Sequence, residues 1–216
     1  MRKAYIPIGF FVLLIVSALA WLGYTQSGKK FRALHLPKAN APSGLAKPGY
    51  ISKLREKKEA ALSFATSKDL NTAFCFLIDM SLSSGQERFF VYSFKKDTIL
   101  HSGLVTHGRC NEEWLEGRRY SNAVGSGCTS LGRYKTGYAY SGSFGLAFKL
   151  HGLEKTNSKA FERYVVLHSH ECVPEEETGS DICQSDGCPT VSPGFLKKIE
   201  PLIKRSGKPV LLWIFE

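Results

Sequence analysis

Residues 165–189 read Val165-Val166-Leu167-His168-Ser169-His170, then an acidic loop, then Ser185-Asp186-Gly187-Cys188-Pro189 (VVLHSHECVPEEETGSDICQSDGCP). Three aliphatic residues in a row predict a buried β-strand that delivers His168 to its end. The closing Ser-Asp-Gly-Cys-Pro run is a tight turn, where glycine lets backbone amides come close to a bound group. A histidine and a cysteine apart in sequence but brought together by such a strand and turn make a candidate nucleophile and base. The thiol of Cys188 is the nucleophile of that pair, and Ser185 and Gly187 are the turn residues expected to shape an oxyanion site. His168 and His170 fall on the same side of a strand, so alternation does not separate them as the base. The apolar strand before it and the serine after it favour His168.

Around this stretch the chain has 216 residues, with 43% hydrophobic and 12% aromatic residues, which argues against disorder. About the first 45 look like targeting and linker sequence, leaving roughly 170 for one domain with a real core. The formal net charge is +10, so the chain suits an anionic partner. No nucleic-acid motif or arginine-rich run accompanies that charge, and no nucleic-acid partner is expected.

Arg2-Lys3 precede an apolar run from Ile6 to Leu22, and Ala18-Leu19-Ala20 gives a small-x-small cleavage pattern. Residues 1–24 therefore read as a signal peptide or membrane anchor, which places the folded part outside the cytoplasm. Membrane contact is expected only through this segment. Residues 25–49, with Pro37, Pro42 and Pro48-Gly49, read as a linker, and 50–216 as the folded domain.

Export makes disulfides available to the six cysteines. Cys75, inside Phe-Cys-Phe-Leu-Ile-Asp, reads as a buried core thiol, and Cys188 must stay free to attack. Cys110 with Cys128 and Cys172 with Cys183 are then the expected pairs, each closing a short loop worth about 3 kcal/mol. The second would staple the loop between histidine and cysteine. The rival for this stretch is a zinc site, since His168, His170, Cys172, Cys183 and Cys188 are all ligand types. The spacing is not a standard one, and a Cys172–Cys183 disulfide would remove two ligands, so no metal or cofactor is expected.

An amphipathic helix is expected over about residues 51–68, from Ile51, Leu54, Ala61, Leu62 and Ala65. Strands follow at 73–78, 88–94 and 98–105, the last two as a hairpin. Residues 108–127 read as a long surface loop. Strands are expected again at 132–140, 144–150 and 161–168. Ser192-Pro193 starts a second helix, with a kink at Pro201, and 210–215 is a final strand. His107-Gly108 and His151-Gly152 read first as turns, with a cleft role open to His151. Glu175, Glu176 and Glu177 read as a solvated loop face, with contact to an incoming amine as the alternative.

His168 or His170, about fifteen residues, then Ser185-x-Gly187-Cys188 resembles the active-site signature of murein L,D-transpeptidases. Thr129-Ser130-Leu131-Gly132-Arg133-Tyr134 resembles that family's Thr-Pro-x-Gly-x-Phe/Tyr strand start, and the similarity spans the globular part. Two departures stand out: Asp186 replaces a basic or histidine residue, and Pro189-Thr190 replaces an aliphatic residue followed by Arg or Asn. The resemblance implies a mainly β, L,D-transpeptidase-like β-sandwich with flanking helices and a lid between histidine and cysteine. It implies acyl transfer through a Cys188 thioester on peptidoglycan stem peptides, commonly at meso-diaminopimelate. The products would be 3→3 crosslinks or stems with the terminal D-amino acid exchanged or removed, with carboxypeptidase activity on the side. It places Arg133 and Tyr134, with His151, as cleft residues. The alternatives are a non-catalytic wall-binding domain of the same fold and a zinc-dependent wall hydrolase.

Overall fold

The computed structural model describes residues 50–216. The expectations for 1–24 and 25–49 lie outside the described residues. Helix α1 (Tyr50–Ser67) is followed by β1 (Phe74–Asp79), β2 (Phe89–Ser93), β3 (Thr98–Gly103), β4 (Gly132–Gly142), β5 (Gly145–Gly152), β6 (Val166–Ser169), β7 (Thr190–Val191), helix α2 (Pro193–Lys204) and β8 (Leu211–Phe215). Among the described residues no helix is long and apolar enough to cross a membrane.

The fold is mainly β, as expected, but the strands form one eight-stranded sheet rather than two, in the order β3-β2-β1-β8-β4-β5-β6-β7. Its ends curl together: Val105, just past β3, bridges Val191 of β7, and Thr106 N–H donates to the Thr190 carbonyl at 2.9 Å. Curling buries one face against itself and gives a layered core without a second sheet.

The central strands are apolar on both faces because both faces are covered. Phe74, Phe76 and Ile78 of β1 point into the curled core with Val91, Leu212, Ile214 and the α2 residues Phe195 and Ile199. The alternate residues Cys75 and Leu77 meet Leu54, Ala61 and Ala65 of α1 on the other face. Period-two alternation thus divides one hydrophobic run between two cores. Phe76 is fully buried, and truncating it to alanine would cost about 3–5 kcal/mol.

Two other expectations change. Residues 161–164 are turn, and β6 begins at Val166. Tyr164 there has φ +56°, left-handed for a side-chain-bearing residue. The short β7 has no periodicity to reveal it, being held by parallel pairing of His168 with Thr190 and Ser169 with Val191. Helix α2 runs on through Pro201 to Lys204, with Ser192 Oγ accepting from Phe195 N–H as its N-cap.

Candidate active site

Cys188 stands at the end of a turn closed on itself. Ser185 Oγ donates to the Cys188 carbonyl at 2.7 Å and accepts from Gly187 N–H at 3.2 Å. Gly187 has φ +105°, and a Cβ there would lie 2.5 Å from the Cys128 carbonyl oxygen. Only glycine fits that conformation and that approach. The turn is tied outward as well: Ser185 N–H donates to His107 O at 2.9 Å, and Arg109 N–H to Ser185 O at 2.8 Å. Asp186 pairs with Arg109 at 2.8 Å.

His168, at 7% exposure, is the penultimate residue of β6, beside this turn. Its Nδ1 lies 3.1 Å from the Ser169 carbonyl, an acceptor only, so Nδ1 carries the proton and Nε2 has the lone pair. Nε2 lies 3.0 Å from Thr190 Oγ1, which also reaches the Cys188 carbonyl at 3.4 Å. Burial holds the His168 imidazole below its ordinary pKa. His170 is exposed, and its Nδ1 accepts from Cys172 N–H at 3.1 Å.

Two cavities of about 210 and 200 Å³ open on either side, and Phe144, His168 and Cys188 line both. The first also holds His170, Gln184, Asp186 and Thr190. The second is walled by Tyr140, Tyr164 and Val166. Sheet register explains the second: Tyr140 pairs with Ala147, Ala147 with His168, and His168 with Thr190, one row across four strands. The small Ala147 leaves the gap between Tyr140 and His168. Phe144, exposed in the tight β4–β5 turn, stacks on His168 with centroids 5.0 Å apart and meets the His170 ring edge-on at 5.5 Å.

The thiol Sγ–H donates to the Tyr164 carbonyl at 3.9 Å. Burial pushes the Cys188 thiol above its ordinary pKa; the Val166 amide, Arg163 and Lys149 pull it back, and Asp186 opposes them.

Several residues singled out in the sequence lie elsewhere. Arg133 bonds Glu154 through Nε at 2.8 Å and stacks on Phe64 and Trp213, on the α1 side of the sheet. Tyr134 is fully buried, its hydroxyl donating to the Ser130 carbonyl at 2.6 Å, and burial pushes it up to about 12. Neither lines the cleft, because β4 turns Arg133 to one buried layer and Tyr134 to the other. His151 stacks on Phe161 at 5.1 Å and lines neither cavity. Ser185 Oγ and Gly187 N–H are used within the turn, which removes both from the expected oxyanion site.

Cys110 is bonded to Cys128 and Cys172 to Cys183, leaving Cys75 and Cys188 as free thiols. The second disulfide takes two sulfurs out of the zinc alternative. The acidic run is fastened to the body: Glu175 accepts from Gly194 N–H at 2.6 Å and from Ser192 Oγ at 2.7 Å, at the positive end of α2. Glu177 accepts from Glu87 N–H at 3.0 Å. His107 Nδ1 accepts from the buried Arg88 at 3.2 Å.

Sequence reasoning missed Phe144, Ala147, Lys149 and Arg163 around the cleft, and named Thr190 only as a departure from the family pattern. Only Phe144 left a local signal, an aromatic in the glycine-flanked Gly142-Ser143-Phe144-Gly145.

The fold and cleft define a domain with a free cysteine and a buried histidine facing shared space. A family model for the L,D-transpeptidase catalytic domain matches residues 50–213, and the chain belongs to that family. A crystal structure of an L,D-transpeptidase from Xylanimonas cellulosilytica DSM 15894 is similar at a TM-score of 0.38 and 11% identity. The similarity covers 66% of this chain and 60% of that one. No curated protein matches.

Proposed function

We propose that the protein is a cysteine-dependent peptidoglycan L,D-transpeptidase, exported to the periplasm or cell envelope. The observation that carries this reading is that Cys188 and His168 line both halves of a two-sided cleft. A transferase needs room for an acyl donor and an acceptor around one nucleophile, and this cleft supplies it. The two disulfides fit an oxidising compartment.

Cys188 sulfur attacks the carbonyl of the third stem residue, and its proton passes to His168 Nε2. The C–N bond to the terminal D-amino acid breaks, and the leaving amine takes that proton from His168. The thioester left on Cys188 is then attacked by an amine of a neighbouring stem, whose proton goes to His168 as the new amide forms and the thiolate departs. Water in place of the amine gives the carboxypeptidase outcome. Burial, the fixed Nδ1–H and a position facing both cavities support His168 as the base over the exposed His170.

A second reading, a non-catalytic wall-binding domain, draws on the Thr190 hydroxyl occupying His168 Nε2. Incubation with tetrapeptide-stem muropeptides separates the two by mass spectrometry. Crosslinked dimers and released D-alanine that vanish in Cys188→Ala are expected. Binding with no turnover by the unmodified protein would overturn the enzyme reading.

A further inference from the structure

Lys149 is an unusual residue for its surroundings. It lies on β5 with only 4% of its surface exposed. Its ammonium sits beneath two exposed rings, 4.6 Å from the centroid of Phe161 and 4.9 Å from that of Tyr164. Among the described residues it forms no salt bridge with a carboxylate, whereas Lys53, Lys58, Lys204 and Lys208 each do. Aromatic faces attract a cation but supply no net charge. An ammonium held under two rings without a counter-anion is an available partner for an anion formed nearby.

The anion that could meet it is on the same face. Lys149 pairs across the sheet with Val166, and Val166 lines the same cavity as Cys188. Tyr164 joins them: its ring covers the ammonium while its carbonyl accepts the Cys188 thiol. Its left-handed backbone is a strained conformation kept at this junction.

We infer that Lys149 is a positioning residue whose ring-covered ammonium serves as the standing counter-ion of the Cys188 thiolate. Deprotonation of Cys188 then creates the anion that Lys149 lacks, so each charge stabilises the other. The other groups facing Cys188 divide by sign. Arg163 shares the role from the turn before β6: its guanidinium is fixed by hydrogen bonds to Ser121 O, Ser130 Oγ and Cys128 O, neutral acceptors that leave its charge in place. Asp186, in the thiol's own turn, opposes and is itself paired with Arg109. Tyr134 on β4 stays neutral in the working range, and His168 on β6 is held neutral by burial. Lys149 is thus the cation on this face with no anionic or hydrogen-bonded partner of its own among the contacts described. The lowered pKa of its ammonium, caused by burial and offset by Cys188, agrees with that role.

The test is the pH profile of iodoacetamide alkylation at Cys188 in the full-length protein, with modification located by mass spectrometry. Lys149→Met raises the midpoint by about half to one pH unit and slows alkylation at pH 7 about three- to tenfold. Lys149→Arg, which restores the charge, brings the rate back to within about threefold of the parent. An unmoved midpoint in folded Lys149→Met overturns the inference. So does a raised KM for the stem peptide with the midpoint unchanged, which would assign the ammonium to a substrate carboxylate. The reciprocal measurement needs no substitution at Lys149. By linkage, its ammonium titrates at lower pH in Cys188→Ser than in the parent, read by NMR of the Nζ group; equal titration in the two proteins also overturns the inference. The inference rests on Cys188 as the attacking thiol. Turnover surviving in Cys188→Ala would sink that reading, whereas an unmoved midpoint with Cys188 still essential sinks only the role of Lys149.

Discussion

Nε2 of His168 lies 3.0 Å from the hydroxyl of Thr190, while Nδ1 faces the Ser169 carbonyl. A carbonyl only accepts, so the neutral ring carries its proton on Nδ1 and Thr190 donates to Nε2. That donation favours the neutral imidazole. Thr190→Val therefore raises the His168 pKa, measured by NMR titration of the ring Cε1–H. It also costs about 1–2 kcal/mol of stability by leaving Nε2 unpartnered in a buried site. A downward shift would mean that Thr190 accepts from the imidazolium instead.

Phe144 covers the face of His168. Burial is the first cause of the lowered His168 pKa. Phe144→Ala admits water and moves that pKa back up toward about 6.5. Under the proposed role of His168 as base, the acid limb of the pH–rate profile shifts upward with it, because an imidazole must be neutral to accept a proton. An unchanged limb would dissociate Phe144 from the base.

His107 gives the fold a pH dependence of its own. Burial, with Arg88 and Arg118 nearby, lowers its pKa to about 4. A depressed histidine pKa means that the unfolded chain binds the proton more readily. The stabilisation is fully present above the unfolded value of about 6.5 and is lost as pH falls toward 4, a change of the order of 2–3 kcal/mol. Urea titrations across that range show the loss in the parent and a flatter profile in His107→Gln.

Gly187→Ala tests the turn that presents the thiol. Its Cβ would lie 2.5 Å from the Cys128 carbonyl oxygen in a backbone region that suits glycine. The substitution costs about 2 kcal/mol or more. Alkylation of Cys188 slows measurably even where the protein remains folded, since the turn must shift. Native stability and rate would contradict the geometry.

Ala147→Leu fills the gap between Tyr140 and His168 without touching the turn. Crosslinking of muropeptides falls at least about tenfold if the second cavity holds a stem, while thiol alkylation by a small reagent stays within about threefold. Equal loss of both would instead indicate a general distortion of β5.

Most strands and both helices were legible because their apolar spacing follows directly from which face they bury. The strand of β1 read as one hydrophobic run, and its division between two cores emerges from the same alternation. Local pattern was less informative where pairing does the holding. Thr190-Val191 becomes a strand only because β6 lies beside it, and 161–164 turns away despite its aromatics. Arg133 and Tyr134 were drawn to the cleft by motif resemblance, yet the layers on either side of β4 claim both side chains.

The candidate reactive groups were readable along the chain: Cys188 in a glycine turn, His168 near a strand end, and cysteines able to staple the intervening loop. These depend on residue type and short spacing, where stereochemistry acts within a few bonds. What surrounds them follows only from the assembled sheet. Tyr140, Ala147, His168 and Thr190 share one row because antiparallel and parallel register align four strands distant in sequence. Lys149 meets Tyr164, and Tyr164 meets Cys188, by the same long-range pairing. The chemistry of the thiol is set by that assembled neighbourhood, since desolvation and Coulomb interactions follow distance in space rather than along the chain.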